Sequence, residues 1–277
     1  MVRPVLLKLW HTSPATLFSS ISGRIASLKR RSGWQTIQNG PLRGVELCVP
    51  ARSTRARRKD SWDEMLAGEL DSFIFSTLQE RIQLDGKICW DVGSFIGYHA
   101  MYFAALGAEV TAFEPNPVNF AMLRLHLERN PTLGRRIEPL QVALCDNDGE
   151  MDFLQSSNIG GASSGSHLTC SLPPLPSGSY SGFQRSKVLT RRIDTLINSG
   201  HRNPDLIKID VEGAELHVLK GGNNFFKNAS PLLVIEVHHI RLMFEIHKLL
   251  SEWGYNVEIL DKAPSEPSRC HIIAARK

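Results

Sequence analysis

Residues 87–97 read KICWDVGSFIG: a short apolar strand, Ile88 to Asp91, that ends on a carboxylate and breaks at once into a turn carrying Gly93 and Gly97. Glycine lacks a Cβ, so it enters turns that other residues resist and lets a ligand lie against the main chain. Asp91 then stands as a charged acceptor beside the space that Gly93 opens. Residues 98–106, YHAMYFAAL, have a helix-compatible composition and stop before Gly107. Strand, glycine turn and helix in that order open the α/β folds whose ligands sit outside the carboxyl ends of the strands. A tight strand-to-helix turn that binds nothing fits the same letters, because two glycines alone are weak evidence.

Working outward, the chain alternates. Strands are expected at Ile88–Asp91, Glu109–Glu114, Ile137–Leu144, Leu206–Asp210, Leu232–His238, Asn256–Leu260 and Cys270–Ala275, with helices near 96–106, 117–129, 214–220 and 240–252. Such alternation predicts an α/β fold, a mostly parallel sheet with helices on both faces. Upstream, Trp34 to Pro50 reads as a β-ribbon with Asn39-Gly40 as its turn. Ser61 to Leu84 reads as one helix: Ser61 is placed to cap, Glu64 follows three residues later, and Phe73, Ile74, Leu78 and Ile82 recur at helical spacing. The expected organisation is a basic extension at 1–33, a ribbon and helix at 34–84, and the α/β core at 85–277. Gln155 to Gln184 is rich in Gly, Ser and Pro. A segment this long is either a lid that orders on substrate binding or a disordered insertion.

A chain of 277 residues with 22% charged side chains can bury a core without disulfides. Its five cysteines, Cys48, Cys89, Cys145, Cys170 and Cys270, are far apart, with no CxxC and no Cys/His spacing that suggests zinc. A reducing compartment follows, with the cytoplasm as the expected location. No apolar run approaches a membrane span. The net charge of +4 is uneven: residues 1–60 hold twelve Lys or Arg against Glu46 and Asp60, a balance of +10, which leaves −6 for the rest. A basic, acid-poor, Ser-containing start fits an organellar targeting segment, a contact with an anionic surface, or a solvated extension.

Residues 109–114, EVTAFE, form the second strand, and its tip is Glu114, followed by Pro115. In doubly wound folds an acid there accepts hydrogen bonds from ribose hydroxyls. Pro115 biases the residue before it toward extended backbone and so holds Glu114 at the tip. The ligand therefore contains a nucleoside. A dinucleotide would need G-x-G-x-x-G to receive its pyrophosphate. Here the middle glycine position holds Phe95, and there is no third glycine. An acidic turn also suits a ligand with a positive centre. S-adenosylmethionine carries a sulfonium, an ammonium and a ribose without phosphates, so the turn favours a methyltransferase over a nicotinamide-dependent oxidoreductase.

Residues 206–222, LIKIDVEGAELHVLKGG, end a strand in two carboxylates, Asp210 and Glu212, ahead of Gly213 and a helix. Charges at that strand end are costly unless solvated or paired, and the position overlooks the ligand crevice. Capping the helix that follows is the alternative role for Glu212. Residues 232–239, LLVIEVHH, put Glu236 and His238 on one face. They read as an acid–base pair able to take a hydroxyl proton, or as structural groups. His239 and His99 are weaker candidates. The carboxylates could also hold a divalent metal.

Several blocks in order resemble the FkbM family of S-adenosylmethionine-dependent methyltransferases: GPLRG at 40–44, WDVGSFIGYH at 90–99, AFEPNPVNF at 112–120, VALCD at 142–146, IKIDVEGAELHVLKGG at 207–222 and LLVIEVH at 232–238. The resemblance implies a Rossmann-like core with a seven-stranded sheet whose last strand is antiparallel. It implies that Asp91, Gly93 and Gly97 line the methionine part of the cofactor and that Glu114 holds the ribose. It puts Pro115 and Asn116 beside the adenine and Val142 and Ala143 across its face. It also implies O-methylation of a hydroxyl on a sugar, lipid or other secondary metabolite. On the reading of the strand ends, Asp210, Glu212, Glu236 and His238 are the groups expected to take the hydroxyl proton and hold the acceptor. Members commonly read D-x-G-A-N-x-G where this chain has Ser94 and Phe95, a departure that keeps a non-catalytic binding protein in view. A nucleic-acid methyltransferase using the basic start is a further rival, but the Asn/Asp-Pro-Pro-Tyr/Phe motif of its amino-methylating type is missing from IDVEG. No specific nucleic-acid partner is expected.

Overall fold

The computed structural model describes residues 33–50, 61–156, 165–170, 183–260 and 270–276. The expectations for the basic extension and for most of the Gly/Ser/Pro segment lie outside the described residues.

The ribbon expected upstream is present: β1 (Gly33–Thr36) pairs antiparallel with β2 (Glu46–Val49). Two helices follow, α1 (Ser61–Ala67) and α2 (Ser72–Arg81). The core then runs β3 (Ile88–Val92), α3 (Tyr98–Ala105), β4 (Glu109–Phe113), α4 (Pro117–Arg129), the short α5 (Pro131–Gly134) and β5 (Ile137–Leu140). A second sheet is built from β6 (Ala143–Leu144), β7 (Gly149–Ser156), β8 (His167–Leu168) and β9 (Phe183–Arg191). The chain returns through α6 (Ile193–Asn198), β10 (Leu206–Ile209), α7 (Glu215–Gly221), α8 (Asn223–Asn228), β11 (Leu232–Val237), α9 (Ile240–Glu252), β12 (Tyr255–Ile259) and β13 (Cys270–Arg276).

The main sheet has seven strands in the order β12-β13-β11-β10-β3-β4-β5. β11, β10, β3, β4 and β5 are mutually parallel. β13 runs antiparallel to both its neighbours. This is the mostly parallel sheet that the alternating pattern predicts, in the Rossmann-like arrangement that the resemblance implies. The central strands are apolar on both faces because both faces are covered. Alternate residues of β3 divide between two cores: Cys89 belongs to the one that includes Leu47, Leu78 and Met101, Trp90 to the one that includes Ile207, Phe226 and Trp253. The sequence of connections reverses direction between β3 and β10, which opens a crevice at the carboxyl ends of those two strands.

Three expectations need correction. The helix expected over 61–84 is two helices, because Gly68 turns the chain at φ 74° and Asp71 sits at φ 51°. A Cβ on Gly68 would lie 2.3 Å from the Asn39 carbonyl oxygen, so the break is also the seam against the ribbon. The strand expected over 137–144 stops at Leu140. Its continuation, Ala143–Leu144, pairs with β9 in the second sheet instead. The ends of the segment read as a loop over 155–184 belong to β7 and β9, which pair antiparallel over eight residues. Among the described residues no helix is long and apolar enough to cross a membrane.

Candidate active site

A cavity of about 370 Å³ lies over the carboxyl ends of β3, β4 and β10. One half is mainly apolar and holds one buried acid. The other carries four carboxylates around a lysine.

In the first half, β3 delivers the chain into the turn at Gly93, whose φ is 82°. A Cβ there would stand 1.8 Å from the Asp210 carbonyl oxygen. Gly93→Ala therefore combines about 1–2 kcal/mol of left-handed strain with about 1–3 kcal/mol of overpacking. Denaturant unfolding should record a loss on the order of 3 kcal/mol. Phe95 occupies the left-handed region at φ 53°. Its backbone N–H donates to Glu114 Oε2 at 2.8 Å, and the Asn116 N–H donates to Glu114 Oε1 at 2.9 Å. A carboxylate has about four lone-pair sites, so Glu114 keeps acceptor capacity toward the cavity it lines. Burial outweighs those hydrogen bonds and pushes the Glu114 carboxyl up to about 8. Pro115, Asn119, Val142 and Ala143 complete this wall.

Three of the expected cofactor contacts stand behind the wall rather than in it. Asp91 is fully buried, and its carboxylate faces Lys208 Nζ at 3.5 Å. Gly97 opens α3 at φ 89°, where a Cβ would meet Leu123 Cδ1 at 2.4 Å, so its smallness serves helix packing. Asn116 caps α4: its side chain accepts from the Val118 and Asn119 N–H groups. Such a cap contributes about 1 kcal/mol.

The second half is a charge network. Lys208 lines the cavity from the middle of β10 and contacts Asp210 Oδ2 at 3.2 Å and the Gly93 carbonyl at 3.4 Å. Burial opposes its charge, but Asp210 and Asp91 outweigh that and raise its pKa. Burial likewise opposes the charge on Asp210, and Lys208 and His238 reverse the balance, holding its carboxyl below the usual range. Glu212 sits at φ 54°, and its Oε1 accepts from the Gly165 N–H at 3.0 Å. Glu236 reaches the cavity from β11.

His238 is brought beside all three acids but lies just behind them. Its Nδ1 is 2.8 Å from Glu215 Oε1, and its Nε2 is 3.6, 3.4 and 3.5 Å from Asp210, Glu212 and Glu236. Burial disfavours its charge, yet the hydrogen bond and charge of Glu215, with Asp210 and Glu212, push it up to about 9. The surrounding carboxylates thus favour the protonated ring. The sign for stability follows. A histidine raised from 6.5 to about 9 stabilises fully below about pH 6.5, and that contribution fades as pH rises through about 9. Over that window the His238 contribution should fall by on the order of 3 kcal/mol, and the drop in unfolding free energy should be smaller by about that amount in His238→Gln than in wild type.

Among the wall residues without a role in the sequence reading, four bear on the site's charges and hydrogen bonds. Lys208 had a signal, as the single charge inside a four-residue apolar strand. Asp71, which holds His99 Nε2 at 3.0 Å, enters only because the helix breaks at Gly68. His271 arrives opposite Glu236 through the antiparallel pairing of β13. Asn119 reaches the wall from the first turn of α4, with its Nδ2 3.5 Å from Glu114 Oε1. His99 lines the cavity, whereas His239 caps α9 by accepting from the Arg241 N–H.

Comparison with known proteins matches residues 91–257 to the Methyltransferase FkbM domain. Hexuronic acid methyltransferase AglP from Haloferax volcanii is 31% identical over 241 residues, spanning 85% of this chain and 92% of that protein. The 31-O-demethyl-FK506 methyltransferase FkbM from Streptomyces tacrolimicus is 28% identical over 218 residues, 69% of this chain and 81% of that one. Among solved structures, methyltransferase FkbM from Methylobacillus flagellatus aligns with a TM-score of 0.50 and 18% identity over 93% of this chain and 60% of its own, a likeness of fold.

Proposed function

The chain belongs to the FkbM methyltransferase family, and from that premise we propose that it methylates a hydroxyl of a sugar or secondary metabolite with S-adenosylmethionine as the donor. The observation that carries the proposal is the two-sided cavity: one buried acid in a largely apolar half, and an acid-rich half beyond the Gly93 turn.

The residues present fit the cofactor. The Gly93 turn leaves no room for a side chain, Glu114 offers unspent acceptor sites to ribose hydroxyls, and Val142 and Ala143 give an apolar face for adenine. Pro115 and Asn119 border the same half. Asp91, Gly97 and Asn116 support this wall from behind. When bound, S-adenosylmethionine supplies an electrophilic methyl group on a sulfonium.

The protein's own part is alignment and proton handling. Asp210 is anionic and lines the cavity beside Gly93, so it accepts the acceptor's hydroxyl proton as the new ether bond forms. An oxygen taking a methyl group becomes far more acidic than a carboxylic acid, so a carboxylate of ordinary or lowered pKa is basic enough. Glu236 shares the acceptor's hydrogen bonds. His238 and Lys208 keep the carboxylates ionised and fixed. Glu212 ties this side to Gly165 across the cavity.

The test is an acceptor panel of neutral sugars, uronic acids and hydroxylated metabolites, read by mass for the replacement of one hydroxyl hydrogen by methyl. Product from at least one class, absent without S-adenosylmethionine, supports the proposal. Hydride exchange with a nicotinamide cofactor in its place rejects it.

A further inference from the structure

The fold brings together three soft ligands that the sequence keeps far apart. Cys145 follows β6 and is fully buried. Cys170 follows β8, and His217 lies on α7. One potential ligand atom from each lies within 4.8 Å of the other two. We propose that Cys145, Cys170 and His217 form a three-ligand site for a soft divalent cation of the zinc class, with solvent in the fourth position.

Three observations converge. The first is spacing. Tetrahedral zinc with Zn–S near 2.3 Å and Zn–N near 2.0 Å holds its ligand atoms roughly 3.5–4 Å apart, so the cluster closes on a metal with movements of about 1 Å or less. The second is the carboxylate beside it. Asp146 Oδ2 lies 2.8 Å from His217 Nδ1, and Asp146 Oδ1 accepts from the Cys145 thiol at 3.3 Å. A carboxylate on one ring nitrogen of a ligating histidine fixes the ring's orientation and raises its basicity. The third is ligand chemistry. Two thiolates and an imidazole select zinc over magnesium or calcium. The other group of potential ligands among the described residues, Asp210, Glu236 and His238, contains no sulfur.

The bookkeeping is simple: one divalent cation replaces two thiol protons, which pass to solvent, and no redox partner is needed. The consequence for the site is mechanical. Cys170 ends the short stretch 165–170, of which Gly165 to Leu168 line the cavity. Cys145 directly continues the strand of Ala143, and His217 rides on the helix that follows Glu212. A metal at this point fastens the 165–170 wall to both the adenine side and the acidic side.

The full chain, reduced and freed of metal, is titrated with Co²⁺ as a spectroscopic stand-in for zinc. The expected result is one equivalent bound with a thiolate-to-metal charge-transfer band in the near ultraviolet, displaced by Zn²⁺. That band should be lost in Cys170→Ser and kept in Asp210→Asn. His217→Gln, whose fold is checked by circular dichroism, should weaken binding at least tenfold. Absence of the band, or its persistence in Cys170→Ser, overturns the proposal. So does a purified protein whose Cys145 and Cys170 are joined as a disulfide and which takes up no metal after reduction.

Discussion

Asp210→Asn lowers kcat by about 10²- to 10⁴-fold, the range general-base assistance supplies, while the dissociation constant of S-adenosylmethionine changes little. The substitution is nearly isosteric. It keeps a polar atom toward Lys208 Nζ, which is 3.2 Å from the native carboxylate and also faces Asp91 at 3.5 Å. What it removes is the negative charge that receives the hydroxyl proton. Glu236 stands in the same half of the cavity, so the residual rate is not zero. Because Asp210 is held anionic by Lys208 and His238, wild-type kcat should not fall on the acid side until pH drops below the ordinary carboxylate range. Pre-steady-state turnover of the variant beside cofactor titration separates the two effects. Equal loss of binding and turnover would make Asp210 a structural strut of the Gly93 turn.

Glu114→Ala removes the acceptor proposed for the ribose and should weaken S-adenosylmethionine binding by about 30- to 1000-fold, from about 2–4 kcal/mol of hydrogen bonding to a charged group. The acid sits 5% exposed with one oxygen bonded to the Phe95 N–H and the other to the Asn116 N–H. Two hydroxyl donors favour its ionised form, whereas burial in the free protein pushes it up to about 8. Cofactor binding at pH 7 therefore releases a proton. Calorimetry in buffers of different ionisation heats should detect that proton in wild type and not in Glu114→Ala. The Phe95 backbone, not its side chain, makes the bond to Glu114, so the unusual residue in the turn leaves that interaction in place.

The strand tips were legible in the sequence because a parallel sheet delivers all its carboxyl ends to one edge. Asp91, Glu114 and Asp210 each close an apolar run, and reading them as neighbours required only the alternation of strand and helix. Depth was not legible. Asp91 and Glu114 look alike on the page, yet one faces Lys208 behind the wall and the other lines the cavity. Asp71 was hidden because helical spacing runs through Phe73, Ile74 and Leu78, while the break that frees it depends on Gly68 meeting the ribbon. β9 was hidden because Gln184, Arg185 and Lys187 are exposed on both faces of its first half, so it lacks the apolar alternation of a half-buried strand. His271 and the Cys145, Cys170 and His217 group depend on pairings across tens of residues that no local pattern encodes.

The central claim is that this crevice holds an adenosyl sulfonium cofactor and not a dinucleotide. The most direct measurement is calorimetric titration of the purified full chain with S-adenosylmethionine, S-adenosylhomocysteine and NAD. The account predicts binding of both adenosyl ligands at one per chain, with no heat from NAD. NAD binding with silence from both adenosyl ligands would contradict it.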